Sequence, residues 1–184
     1  MSHFNTEKEL IKACLKNKRA AQRQLYEKHK VFLFGVCLRY CKTQHEAEDV
    51  LQEGFYKILK DLKQYKGGGA LRAWMRKVMV NTALMHIRKH RKLTVAPLEQ
   101  LNDESHAISD YSFFEKDRAD AIIRLIQLLP IAQQTVFNLR AIDGYSFKEI
   151  AEQIGSNENT LRSHYARARK QLQHYLQEEL SSNG

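Results

Sequence analysis

The chain has 184 residues, 43% of them hydrophobic and 28% charged, the balance of a globular protein of one or two small domains. No run of about 18 apolar residues is present to insert in a membrane, 8 Gly and 2 Pro exclude a collagen-like chain, and 3 Cys are too few for a secreted disulfide scaffold. Lys+Arg number 30 against 21 Asp+Glu, a net charge of +9, and the polar start Met1–Leu10 lacks a signal-peptide core, so a reduced, cytoplasmic protein is expected.

Helical periodicity dominates from the start. A helix is expected from about Lys18 to Cys41, burying Leu25, Phe32 and Val36. A second spans Glu46 to Leu62. Its apolar stripe is Ala47, Val50, Leu51, Phe55, Ile58, Leu59 and Leu62, and the opposite face carries Asp49, Gln52, Glu53, Tyr56 and Lys60. Gly67-Gly68-Gly69 then ends the pattern, because three glycines cost too much backbone entropy inside a helix. A long helix follows, about Leu71 to Arg91. It is apolar on two sides, one with Leu71, Trp74, Met75, Val78 and Met79, the other with Val80, Leu84 and Ile87. Such a helix belongs in the middle of a bundle. Lys77, Asn81, Arg88 and Lys92 fall on one line in the polar gap.

Charge is unevenly spread. Residues 62–98 hold 9 basic and no acidic side chains, whereas residues 99–120 hold 7 acidic and 2 basic. A solvated helix face mixes signs. A 37-residue window of one sign points to a polyanion, nucleic acid first and an anionic membrane surface second. The aperiodic stretch that follows, with Pro97 and most of the acidic block, is expected to be a mobile linker.

A further helical unit is expected from about Glu115, with Ile122, Ile123, Ile126 and Leu129 as its stripe. Pro130 separates it from a helix ending near Ile142, and Asp143-Gly144 forms a turn. Ser146-Phe147-Lys148-Glu149 reads as a capping box. Ile150, Ala151 and Ile154 give that short helix a buried face. Gly155 permits a tight turn, Asn157 can cap the next helix, and Leu161, Tyr165, Ala168, Leu172 and Leu176 are its buried positions. A short capped helix, a glycine turn and a longer basic helix make a helix-turn-helix, whose second helix enters the DNA major groove. The base-facing candidates are Asn159, Thr160, Arg162, Ser163 and Arg167; Arg169 and Lys170 suit phosphates.

Metal and catalytic chemistry find little support. Cys37 and Cys41 are four apart, as are His86 and His90, but neither pair has the spacing of a structural zinc site or a zinc-protease motif. Buried free cysteines are the expectation, with no metal, no cofactor and no catalytic residue. A nuclease needs clustered carboxylates near its basic surface, and the basic window has none.

Four stretches, in order, resemble the extracytoplasmic-function (ECF) sigma factors of bacterial RNA polymerase. The first runs from Glu46 to Phe55. The second joins Tyr65-Lys66-Gly67-Gly68-Gly69 to Leu71–Met75, Val80–Leu84 and the basic end Ile87–Lys92. The third is Leu129-Pro130 through Phe137 and Gly144 to Gly155. The last is Ala166–Leu172. The chain differs from the common family pattern at Gly68, Gly69, Met85, Ser156 and Asn159.

The resemblance implies an all-α protein of two small helical domains joined by a flexible linker. Residues 1–92 would dock on core RNA polymerase and read and melt the downstream promoter element. Residues 93–114 would be the acidic linker, and residues 115–184 the helix-turn-helix domain for the upstream element. It implies polymerase contact by Asp49, Gln52, Glu53 and Tyr56. It implies downstream DNA contact by Tyr65, Lys66, Gly68, Arg72, Arg76, Lys77, Asn81 and Arg88. The partners implied are core RNA polymerase and promoter DNA, and family members are often held inactive by an anti-sigma factor. The other reading of the same residues is a stand-alone helix-turn-helix regulator, which needs neither the docking helix nor the glycine loop.

Overall fold

The computed structural model describes residues 4–67, 69–93 and 118–182. The expected linker, apart from Leu93, and Gly68 therefore lie outside the described residues; Leu93 is the last residue of a helix. All regular structure among the described residues is helical. The chain divides into two compact units, residues 1–90 and 91–184.

The first unit begins with α1 (Glu7–Leu15), which the sequence reading passed over. Thr6 caps it and Glu9 reaches back to the Thr6 backbone N–H, completing a capping box. Then come α2 (Arg19–Leu38) and α3 (Gln44–Asp61), the latter opened by a second capping box of Thr43 and Glu46. A single 3-10 turn, Leu62–Gln64, leads to the glycine loop and to α4 (Leu71–Leu93). The core is continuous through these helices: Leu10, Leu25, Leu33, Tyr40, Ile58, Leu62, Leu71, Met75 and Met79 are almost wholly buried. Tyr26 meets Phe55 edge to face across α2 and α3, with ring centroids 4.9 Å apart.

Gly54 sets the approach of α3 to α4. A Cβ there would collide with the Met79 thioether, so the helix accepts a residue of poor helical propensity in exchange for close packing. On α4, Leu71, Met75 and Met79 are buried on one side and Val80, Ala83 and Leu84 on the other, as expected of a central helix. Thr82 is buried between them and its hydroxyl donates to the Val78 carbonyl (2.9 Å).

The second unit contains α5 (Arg118–Leu128), α6 (Ile131–Phe137), α7 (Phe147–Ile154) and α8 (Glu158–Ser182). Leu125, Ile126, Leu129, Ala168 and Leu172 form a core, with Leu128, Phe137 and Tyr175 packed against it. After α6 the backbone widens into a π turn, Asn138–Ile142, where a continued α-helix was expected. It closes with Asp143 N–H donating to the Asn138 carbonyl (2.9 Å), and Gly144 follows at φ +82°. Two positions of the expected buried stripes are on the surface. Ile122 is 52% exposed and Leu176 is 44% exposed. Both border an apolar groove between α5 and α8, lined also by Leu125, Phe137 and Leu172, so their periodicity reports a groove wall and not a closed core.

His29 is buried in the first unit, and its Nε2 has no hydrogen-bond partner. Burial lowers its pKa below the ordinary value; Lys28 and Arg72 act in the same direction and Glu7 opposes them. The fold therefore holds a neutral imidazole. The unfolded chain binds the proton more readily, so stability is fully present above the ordinary histidine pKa and is lost as pH falls below it. Acidification from pH 7.5 to 5.5 lowers the thermal midpoint, and His29→Leu flattens part of that decline in a pH series of melts. A second expectation concerns Gly54→Ala. Higher helix propensity adds about 0.5–1 kcal/mol, and the atoms a Cβ would meet, Met79 Sδ and Cε, are the end of a flexible side chain that can swing aside within the core. Repacking Met79 therefore offsets the gain, and denaturant unfolding should show a change smaller than the full gain of an exposed helical glycine.

Candidate nucleic-acid interface

Two sides of α4 are committed to the core, which leaves one strip for solvent. Lys77, Asn81, Met85 and Lys89 succeed one another on it at four-residue steps, all exposed, and Arg88 is exposed beside them. Lys77, Asn81 and Arg88 thus share the face expected of them. Arg76 is half-buried. Arg72 is exposed at the start of the helix, its guanidinium lying 3.9 Å from the centroid of the Phe32 ring. That contact fixes the side chain over α2 while its charge remains at the surface.

The glycine loop sits at the same end of α4. Gly67 has φ +71°, a conformation that favours glycine. Tyr65 is half-buried, its hydroxyl donating to the Gly69 carbonyl and its ring 5.8 Å from that of Trp74 at 46°. Tyr65 therefore closes the loop from within. Lys66 is exposed beside it. Trp74, expected in the core, is half-buried and supports Tyr65.

The outer face of α3 carries Asp49, Gln52, Glu53 and Tyr56, all exposed; Tyr56, at 68%, is an unusually open aromatic ring. Glu53 pairs with Lys57 at 2.6 Å, and Asp49 lies 3.9 Å from His45. Exposed pairs of this kind contribute about 0–1 kcal/mol, so a partner can exchange them at little cost.

In the second unit the helix-turn-helix is assembled by the predicted devices. Ser146 accepts from Glu149 N–H (3.2 Å), and the Glu149 carboxylate accepts from the Ser146 N–H (2.7 Å). Gly155 ends α7 in the left-handed region at φ +70°. Asn157 Oδ1 accepts from Thr160 N–H (2.8 Å) and starts α8. Asn159, Ser163, Arg167 and Lys170 are exposed along one face of α8, with the Ser163 hydroxyl donating to the Asn159 carbonyl (3.1 Å). Thr160 is half-buried.

Two arginines stand at the margin of that face. Arg162 bonds Glu158 at 3.0 Å and lies 4.6 Å from the centroid of the Phe147 ring. Arg169 borders the α5–α8 groove, 6.0 Å from the Tyr165 ring. Phe147, which the sequence reading did not single out, also receives Arg140 at 5.2 Å and so helps position the arginines at this margin. An aromatic directly after the Ser146 cap was the available signal.

The three cysteines are free and buried. Burial pushes Cys14 up to about 11 and Cys37 up to about 12, and it raises Cys41 further. These thiols stay protonated at neutral pH and are poor nucleophiles or ligands. No cluster of three or more His, Cys, Asp or Glu suited to a metal occurs among the described residues. No described helix is long and apolar enough to cross a membrane.

Comparison with known proteins gives the same division. Residues 25–93 match the family model of sigma-70 region 2, and residues 119–172 match that of sigma-70 region 4. The ECF RNA polymerase sigma factor SigM of Mycobacterium tuberculosis is 26% identical over 174 residues, spanning 95% of this chain and 86% of that protein. RNA polymerase sigma factor SigV of Bacillus subtilis is 28% identical over 151 residues, spanning 82% and 88%. The solved sigma factor RpoE of Bartonella quintana, in complex with the anti-sigma factor NepR, shares the fold with a TM-score of 0.53 at 23% identity, covering 84% of this chain and 96% of that one. A region 2 unit followed by a region 4 unit, in a chain aligned almost end to end with ECF relatives, decides the assignment: the chain belongs to the sigma-70 family and is an ECF sigma factor, directing transcription initiation at specific promoters.

Proposed function

We propose that this sigma factor works in the cytoplasm, without catalysis of its own, by binding core RNA polymerase and dividing promoter recognition between its two units. Residues 1–92 dock and act on the downstream element, and residues 115–184 bind the upstream element. The observation that carries this reading is the exposed strip of α4, basic and free of acids, with the Tyr65-closed loop at its head. Asp49, Gln52, Glu53 and Tyr56 offer an acidic and aromatic face to the polymerase. Lys66, Arg72, Arg76, Lys77 and Arg88 hold phosphates, Asn81 offers donor and acceptor to a base edge, and Tyr65 with Gly68 walls an unpaired base. Base stacking on an aromatic ring is worth about 1–3 kcal/mol, enough to help hold a strand open without ATP. In the second unit, Asn159, Thr160, Ser163 and Arg167 face bases, with Arg162 and Arg169 flanking them. An anti-sigma partner, such as the one bound to the Bartonella RpoE, belongs to the same reading.

The test is transcription of sheared genomic DNA by core RNA polymerase from the same source. Discrete starts that depend on the added protein are expected. Retention of duplex DNA without any core binding would instead establish a stand-alone regulator. Within the second unit, two substitutions should part company. Asn159→Ala relaxes base preference at one upstream position. Lys170→Ala weakens all promoters alike and lowers the salt slope of binding by about one.

A further inference from the structure

The α4 strip contains one residue that its charge does not explain. Met85 is 57% exposed, and between Leu71 and Lys89 it is the only strongly exposed large apolar side chain of α4. Its neighbours one turn away, Asn81, Arg88 and Lys89, are exposed and polar or basic, while Leu84 beside it faces the core. An apolar patch that seats a helix or a second protein needs several such side chains together. Here a single flexible thioether stands in the middle of a cationic row. A ligand that satisfies the row is polyanionic, and it must offer one small apolar feature about one helical turn from the group met by Asn81. DNA has such a feature in the 5-methyl group of thymine, which accepts apolar contacts where polar side chains read the other bases.

We propose that Met85 is a specificity-determining residue of this sigma factor, contacting the 5-methyl group of a thymine in the downstream promoter element. Asn81 then bonds the adjacent base edge, while Lys77, Arg88 and Lys89 hold the flanking phosphates. The proposal rests on the reading above, in which this face of α4 meets promoter DNA. Phosphate contacts set position and carry no sequence information, so Met85 and Asn81 together supply the base readout of the strip.

The test replaces each thymine of the downstream element by deoxyuridine, one at a time, which deletes only the methyl group. Promoters are first recovered by transcribing a library randomised in that element with the full-length protein and core polymerase. The wild-type protein should lose about fourfold in initiation at one uridine position, the worth of one buried methyl-sized group. Met85→Ala should lose a similar factor on the thymine promoter and become indifferent to uridine there. Met85→Leu should restore the sensitivity. Wild-type indifference to every uridine overturns the proposal. So does a Met85→Ala protein that keeps the wild-type uridine profile, or one that loses core binding, which would place the side chain against protein. A failure of the parent reading is seen earlier, as an absence of protein-dependent starts from the library, and the proposal falls with it.

Discussion

The structure of the first unit depends on the double burial of α4. Leu71, Met75 and Met79 pack on one side and Val80, Ala83 and Leu84 on the other, so most of the circumference of the helix is withdrawn from water. Every cation the helix carries must then leave through the solvent strip or its ends. In an ordinary surface helix, acids would be interspersed to balance that density. Here none occurs between residues 62 and 98, so the segment itself supplies no balancing acid and its excess charge favours a polyanion. Packing thus converts a sequence-level charge excess into a narrow, oriented surface. Gly54 belongs to the same constraint, because it lets α3 come close enough to cover Met79.

The second unit reaches its interface by a different route. α7 is short, and its direction is fixed at both ends, by the Ser146–Glu149 box at the start and the left-handed Gly155 at the finish. Asn157 then sets where α8 begins. The residues proposed to face bases follow within the first turns, so small errors in the turn would displace all of them together. Arg162 is held between Glu158 and Phe147 and enters any complex with its rotamer already restricted. That restraint lowers the entropy lost on binding, although the Glu158 pair must be shared or exchanged when a phosphate arrives.

Helix positions were legible from the sequence because the apolar stripes are strongly periodic. The exposed face of α3 and the capping devices of α7 and α8 followed from spacing alone, whereas the docking role of that face came only from the family resemblance. α1 was not legible: only Leu10, Ala13 and Cys14 are buried, a stripe too brief to stand out. Its Thr6–Glu9 box, like Thr43–Glu46, was nevertheless written in the sequence. The π turn at Asn138–Ile142 had no local signature, since one extra residue in a helical turn arises from packing around the buried Asn138 and Leu139. Ile122 and Leu176 show the limit of periodicity. It tells that two residues share an apolar face, and it cannot tell whether that face is covered. The roles within the α4 strip were harder still, because a contact such as Arg72 on Phe32 joins residues forty apart.

In the proposed melting role, the contacts of Tyr65 bear on how a duplex is opened without ATP. Three glycines in sequence would by themselves sample many conformations, and ordering them on DNA would consume binding free energy. Tyr65 reduces that freedom beforehand, through its hydroxyl on the Gly69 carbonyl and its ring against Trp74. The same ring is the aromatic face available to an unpaired base. Stacking a base on Tyr65 therefore need not first order the residue that does the stacking. The hydrogen bond sits at the surface and is weak enough to yield if the strand requires the loop to open. For the proposed base recognition, one exposed hydrogen bond and one aromatic contact hold Tyr65 in place at little cost to release.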